Sequence, residues 1–358
     1  MSKSRHLINV ILLVLVGTVG LYFLFDFMFP LPAPAVAQAG PIDTMFQAHF
    51  VIMAFLFSLI MVIMLYAAFT FRRDADDQED GPHIHGNTTM EIIWTVVPTI
   101  VVLIFGVYGV VVFNDIRAEQ EGEMVVDVIG RQWSWSFAYP EFDDAPAGEL
   151  ILPVNRPVVL HMISEDVLHA FWVPEFRVKQ DLLPGRVTEL RFTPTVEGNY
   201  KLRCAEICGL EHAAMLADVR VVSQAEFDRF IEEAQDEPDW AELTPAERGE
   251  IWYGSERGYG CVACHSLDGT PGAGPSWLGI YMAERPLDDG TTVIGDEDYL
   301  RLSILEPDAE IVAGYQPGIM PANYGERFEQ REAELMARQG VEIDIIDDLI
   351  AFIRTLEE

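Results

Sequence analysis

Basic residues are scarce in this chain. Its 358 residues carry 23 Lys and Arg against 57 Asp and Glu, a formal charge of −34. Nucleic acid is excluded as a partner, because binding a phosphate backbone requires a cationic surface. Cysteine is scarce too, with four residues. No Ser-His-Asp arrangement, phosphate loop or dinucleotide fingerprint appears, and there is no internal repeat or low-complexity tract. Half the residues are nevertheless hydrophobic. In so acidic a chain the apolar residues must be concentrated rather than spread, which excludes general disorder and an ordinary cytosolic enzyme.

That concentration lies near the N-terminus. Leu7–Phe25, Phe50–Phe71 and Ile92–Phe113 run for 19, 22 and 22 residues without one charge. As helices they would be about 28–33 Å long, enough to cross the hydrocarbon core of a bilayer. The second and third runs read as a transmembrane hairpin over 45–118. The first, over 1–39, reads either as a signal peptide or as an additional transmembrane helix. Lys3 and Arg5 ahead of it and the small residues Ala35-Val36-Ala37 and Ala37-Gln38-Ala39 behind it suit a signal, whereas its length suits a retained span. Lys3, Arg5 and the pair Arg72-Arg73 place their ends in the cytoplasm, so everything after about Asn114 is expected outside the cell membrane. The acids of 74–80 do not change this, since the rule counts only Lys and Arg.

The outer portion divides by texture. Short β-rich stretches at Val125–Ile129, Glu149–Val154, Pro157–Ile163, Arg186–Phe192, Tyr200–Cys204 and Ala217–Val222, broken by turns such as Pro184-Gly185, predict a β-sandwich over 123–222. Trp133, Trp135 and Phe137 alternate with period two and share one strand face. Residues 223–245 are acidic and helix-prone and read as a solvated linker. Over 246–358 the pattern is helical with glycine loops. Ile345, Ile346, Leu349, Ile350, Phe352 and Ile353 mark one buried helix face there. The fold class is a multidomain membrane protein: transmembrane α-hairpin, β-sandwich, then an all-α domain.

Four cysteines outside the membrane would ordinarily suggest disulfides, but their neighbours argue otherwise. Cys261-Val262-Ala263-Cys264-His265 is a c-type haem attachment sequence, in which two thiols capture the porphyrin and the adjacent His ligates iron. Of the methionines that follow, Met282 is only 17 residues past His265 and Met336 lies in a charged helical stretch. Met320, on a loop between Pro317 and Pro321, is the candidate sixth ligand. A thioether raises the potential of the iron, which suits an electron carrier. A carbonyl at Gly274-Pro275 is placed to accept the His265 ring N–H, or the pair is simply a turn.

The second constellation is His169 with Cys204, Cys208, His212 and Met215. Two thiolates, two imidazoles and a thioether select copper or zinc over magnesium or calcium. A disulfide leaves the His and Met unexplained, structural zinc needs no Met, and mononuclear blue copper leaves one Cys idle. A dinuclear copper centre bridged by two thiolates uses the whole set.

Ser164–His169, Lys179–Arg186 and Cys204–Met215 closely resemble subunit II of haem–copper cytochrome c oxidases, and the haem sequence makes the chain similar to the version with a fused cytochrome c. The resemblance implies a cupredoxin fold for 123–222 and a cytochrome c domain for 246–358. It implies a CuA centre in which Cys204 and Cys208 bridge the coppers, His169 and His212 bind one each, and Met215 and the Glu206 carbonyl are weak ligands. The Glu206 side chain would reach a magnesium ion at the boundary with subunit I. Trp133 matches the surface aromatic through which electrons enter from cytochrome c. Glu91 matches an acid at the mouth of a proton pathway; Thr88-Thr89-Met90-Glu91 also reads as a helix-capping box. His83 and His85 read as solvated.

The implied function is that of a wire. Electrons come from a cytochrome c or an upstream respiratory complex, pass through haem c and CuA, and leave for subunit I, which reduces oxygen to water and moves protons. Subunits I and III would be the membrane partners, with both redox domains on the periplasmic face of a multi-pass cell-membrane protein. Rival readings are the electron-transfer component of a nitric oxide or nitrous oxide reductase, a metal-free quinol oxidase subunit, and a free-standing membrane carrier.

Overall fold

The structure, a computed structural model, describes residues 3–73, 83 and 85–356. The acids of 74–80 lie outside the described residues. The chain forms two compact units: Met1–Ala118 with Glu175–Arg177, and the remainder.

Among the described residues the first unit holds three helices, α1 (Lys3–Met28), α2 (Ala39–Thr70) and α3 (Thr88–Ile116), each long and apolar enough to cross a membrane. Their outward faces carry large apolar side chains over most of their length. In water that would be an untenable surface, and in lipid it is the expected one. α1 packs along α2, where a Cβ on Gly17 would stand 3.0 Å from Ser58 Oγ and His6 Nδ1 meets Tyr66 Oη at 2.8 Å. Small residues at such a crossing let helix backbones approach. The cap of α3 differs from the expected box. Asn87, not Thr88, is the N-cap, accepting the Met90 N–H at 3.2 Å, while Glu91 accepts the Asn87 N–H at 3.2 Å. Asn caps as well as Thr, and the extended backbone of Asn87 aims its side chain at the open N–H groups.

The second unit opens with ten strands: β1 (Met124–Arg131), β2 (Ser134–Tyr139), β3 (Ala145–Ala147), β4 (Leu150–Pro153), β5 (Val158–Ser164), β6 (His169–Trp172), β7 (Lys179–Leu182), β8 (Thr188–Phe192), β9 (Gly198–Cys204) and β10 (Leu216–Val222). They make two five-stranded sheets, ordered β3-β2-β1-β5-β8 and β4-β10-β9-β6-β7. Met124, Val126 and Val128 alternate inward along β1, as the period of two requires. The six stretches read from β-rich patterning are all strands. Strands β3, β6 and β7 escaped that reading; in the edge strand β7, Lys179-Gln180-Asp181 is polar, a common way to blunt an exposed edge.

The 223–245 segment is not a solvated linker. It forms α4 (Gln224–Gln235), capped by Ser223, and buries Phe227, Ile231 and Ala234. The Phe227 ring lies 5.8 Å from that of Tyr139 on β2. Further on, Trp240 is fully buried and stacks on Trp252 at 4.4 Å. Acids on the opposite face concealed the apolar stripe at i, i+4 and i+7.

The C-terminal portion is built on α5 (Pro245–Tyr253), α6 (Glu297–Leu305), α7 (Tyr324–Gln339) and α8 (Ile345–Arg354), and it adds a small hairpin, β11 (Glu284–Pro286) with β12 (Thr292–Ile294). α8 buries the six apolar residues marked in the sequence. It crosses α5 so closely that a Cβ on Gly249 would lie 2.1 Å from the Asp348 carbonyl oxygen. Glycine is required there. Beside it the buried Asp348 carboxylate accepts two bonds from Arg248, at 2.6 and 2.7 Å, and one from Trp252 Nε1 at 3.2 Å. Removing one partner strands a buried charge, so Arg248→Ala is expected to destabilise the C-terminal portion by about 3 kcal/mol, read from its denaturant midpoint.

Candidate functional site

One site gathers at the end of the second sheet. Cys204 ends β9, Cys208 and His212 sit on the connection to β10, Met215 closes that connection, and His169 begins β6. The sulfurs of Cys204 and Cys208 are 3.7 Å apart and unbonded, well beyond the ~2.05 Å of a disulfide. Around them lie His169 Nδ1, 3.8 Å from Cys204 Sγ, and His212 Nδ1, 3.5 Å from Cys208 Sγ. Met215 Sδ is 3.8 Å from Cys208 Sγ, and the Glu206 carbonyl is 3.2 Å from Cys204 Sγ. All six donors named from the sequence converge. Among the described residues, His169, Cys204 and Cys208 form the one group of three His, Cys or acidic ligands close enough to share an ion.

The electrostatics favour a cation between the sulfurs. Burial raises the Cys204 thiol, but hydrogen bonds with His169 and the Ala170 backbone bring it down to about 6. Burial and the facing Cys204 charge push Cys208 up to about 12. Two thiolates this close cannot both ionise without compensating positive charge. The donor set is soft, so copper fits it. Burial disfavours a charged His169, yet Asp166 and Cys204 outweigh that and hold it at about 8.

Asp166 was not singled out in the sequence. Its Oδ1 meets His169 Nε2 at 2.8 Å, and its Oδ2 accepts the Gln132 N–H at 2.7 Å. The carboxylate ties one ring nitrogen and turns Nδ1 toward the sulfurs, the usual arrangement behind a metal-bound imidazole. The i, i+3 spacing of Asp166 and His169 was the available signal.

The haem attachment sequence lines a second site, an open-mouthed, mostly apolar cavity. Cys261, Cys264, His265 and Met320 share its wall with Trp277, Tyr324 and Ile304. The two attachment cysteines and the two candidate iron ligands are thus brought together. His265 Nδ1 pairs with the Pro275 carbonyl at 2.8 Å, so Pro275 anchors the ring. A Cβ on Gly274 would lie 2.4 Å from His265 Cε1, so only glycine leaves room for the imidazole. Burial lowers the His265 pKa and keeps the ring neutral, as an iron ligand must be. Burial pushes Cys261 up to about 12 and Cys264 up to about 11. Ser303 Oγ, buried in the cavity wall, has no hydrogen-bond partner among the described residues. A large apolar slot with two thiols, a neutral imidazole and an orphaned hydroxyl fits a covalent haem. Met336 and Met282 are both exposed, Met282 at 60%.

The remaining candidates lie elsewhere. Trp133 is only 4% exposed, not a surface ring; it precedes β2 rather than lying in it, with its indole against Gly209 of the copper loop. The Glu206 side chain is half-buried, and no cluster of acids joins it among the described residues. Glu91, His83 and His85 are exposed.

The two-sheet sandwich, its Cys2His2Met cluster around two buried sulfurs and three membrane-length helices define a membrane-anchored electron-transfer protein. Residues 146–222 match the family described as cytochrome c oxidase subunit II, periplasmic domain, and residues 23–112 match cytochrome c oxidase subunit II, transmembrane domain. Among curated relatives, cytochrome c oxidase subunit 2 of Synechocystis sp. is 33% identical over 248 residues, covering 56% of this chain and 74% of the relative. The same subunit of Alkalihalophilus pseudofirmus is 29% identical over 294 residues, covering 80% and 83%. The solved periplasmic domain of subunit II of cytochrome oxidase of Bradyrhizobium japonicum is 32% identical, covering 32% of this chain and 96% of its own, with a TM-score of 0.31. The chain belongs to the cytochrome c oxidase subunit II family, and it is an electron-transfer subunit of that oxidase.

Asp166→Asn keeps the shape but weakens the hold on the His169 ring. Copper affinity, measured by competition with a chelator, is expected to fall about 10–100-fold while the fold is retained.

Proposed function

We propose that this chain relays electrons from an outside donor through a covalent haem c and a dinuclear copper centre to subunit I, where oxygen is reduced. Cys204 and Cys208 would bridge the coppers, His169 and His212 would bind one each, and Met215 and the Glu206 carbonyl would complete the set. Cys261 and Cys264 would carry the haem, with His265 and Met320 on its iron. When bound, these groups would supply one-electron carriers that change little in geometry on reduction. The observation that carries the reading is the convergence of four further donors, two imidazoles, a thioether and a carbonyl, on two buried, unbonded sulfurs.

The residues of the chain act by orientation and exclusion. Asp166 holds His169 by Nε2 and leaves Nδ1 toward Cys204. The Pro275 carbonyl accepts a hydrogen bond from His265 Nδ1 and leaves Nε2 for a ligand. Both rings are therefore fixed before any metal arrives, which keeps reorganisation small. Buried Met215, Trp135 and Phe171 shield the sulfurs from water.

Ile207 is 83% exposed and Leu210 is also exposed on the copper loop, an apolar tip suited to a protein partner. Subunit I is the partner this reading assigns to it, with the Glu206 side chain contributing one ligand of a shared magnesium site. Subunit III would join the same complex, and the three helices would cross the cell membrane with the redox domains on the periplasmic side. The donor would be a cytochrome c or an upstream respiratory complex. A basic docking surface on that donor follows from the −34 formal charge.

Absorption and EPR spectra of the chain purified from membranes test the reading. The expected result is a low-spin haem c with a methionine–iron band and a mixed-valence copper signal split by two nuclei. Cys208→Ser should abolish the splitting and leave the haem spectrum unchanged. Absence of either group would refute the reading, as would purification without a polytopic haem-bearing subunit and oxygen uptake.

A further inference from the structure

We propose that Arg131, Glu165 and Arg327 form an internal latch that holds the haem cavity against the copper loop, so that this chain occupies its own electron-receiving face. The proposal rests on the haem and copper reading above and adds the residues that join the two sites.

The joint is visible from both sides. The haem cavity is not closed by the C-terminal portion alone; Arg131, Gln132 and Ser134, at the turn from β1 to β2, complete its wall. A Cβ on Gly260, the residue before Cys261, would stand 3.1 Å from Ser134 Oγ. Gln132 is also bonded to the copper site. Its Nε2 donates to the Cys208 carbonyl at 2.6 Å, and its backbone N–H donates to Asp166, the partner of His169. One residue thus lines the haem cavity and grips the copper loop. Trp133, next to it, is pressed on Gly209 and is nearly inaccessible.

The charges at this joint are arranged around one carboxylate. Arg131 Nε lies 3.1 Å from Glu165 Oε2, and Arg327 Nη1, on α7, lies 3.9 Å from the same oxygen. The Arg131 side chain is 11% exposed and that of Glu165 35%. Arg327 is held in place by the faces of Tyr259 and Tyr324, its guanidinium 5.1 and 5.4 Å from their centroids. Both tyrosines line the haem cavity. Two guanidiniums this close would repel without Glu165 between them, and Arg131 belongs to the sandwich while Arg327 belongs to the helical portion. Breaking the triad therefore loosens the joint rather than either half.

The consequence concerns the donor. A separate cytochrome c cannot use the Arg131–Ser134 turn while the haem-bearing portion of this chain sits there, so it must deliver to the haem side. The step served by the joint moves one electron and neither a proton nor a bond.

The test uses the full chain, with copper and haem shown by their spectra to be present in every variant. Iron–copper separation from EPR relaxation and the rate of haem-to-copper equilibration after flash reduction are both read. Arg327→Ala is expected to broaden the separation and slow equilibration about fivefold, with a steeper salt dependence. Arg327→Lys should recover most of the rate. Gln132→Leu should slow equilibration with the separation unchanged. Unaltered separation and rate in Arg327→Ala, with both spectra intact, would overturn the latch and leave the relay standing. Absence of haem or copper in the unaltered chain would overturn the relay itself, and the latch with it.

Discussion

Two sulfur atoms, 3.7 Å apart, buried and unbonded, are the constraint on which the rest depends. Left alone they conflict: one thiol is drawn toward ionisation and the other is driven away from it. Oxidation to a cystine would relieve the conflict but waste the imidazoles and the thioether placed around them. Metal relieves it by supplying positive charge between the sulfurs, and the neighbouring donors then have a purpose. The strand order serves this arrangement, because β6 and β9 are paired and bring His169 beside Cys204.

Both candidate centres use one device. An imidazole is tied through one nitrogen to an oxygen of the chain, Asp166 in the first case and Pro275 in the second, leaving the other nitrogen free. A ring fixed in this way loses little freedom when metal binds. The helical portion secures its half by other means, with Gly249 allowing α5 and α8 to touch and the Arg248–Asp348 pair locking them. Rigid halves matter for a relay, since the separation of its stations sets its speed.

Much of this was legible in the sequence, and the gaps have physical reasons. Cys261-Val262-Ala263-Cys264-His265 and Cys204–Met215 stood out because metal and haem chemistry demands fixed spacing, and the fold gathers the side chains of each. The charge-free runs announced the helices because lipid tolerates nothing else. Most strands were found from β-rich patterning, but β3 and β6 are too short to show a period, and β7, polar at a sheet edge, carries none. α4 was read as solvent-exposed because charge outweighed a three-residue stripe of Phe227, Ile231 and Ala234. Trp133 was matched to a surface ring, yet its burial depends on Gly209, 76 residues away in the chain. Gln132 acts over a similar separation, reaching the Cys208 carbonyl 76 residues on, and no local pattern marks a residue whose partner is supplied by folding.

Intact-mass measurement of the purified chain under non-reducing conditions, with metal analysis of the same material, tests the central claim most directly. The account predicts a covalent porphyrin adduct, no cystine, and copper at a dinuclear stoichiometry released only when the fold is opened. Cystine crosslinks at Cys204–Cys208 or Cys261–Cys264, with neither porphyrin nor copper, would contradict it.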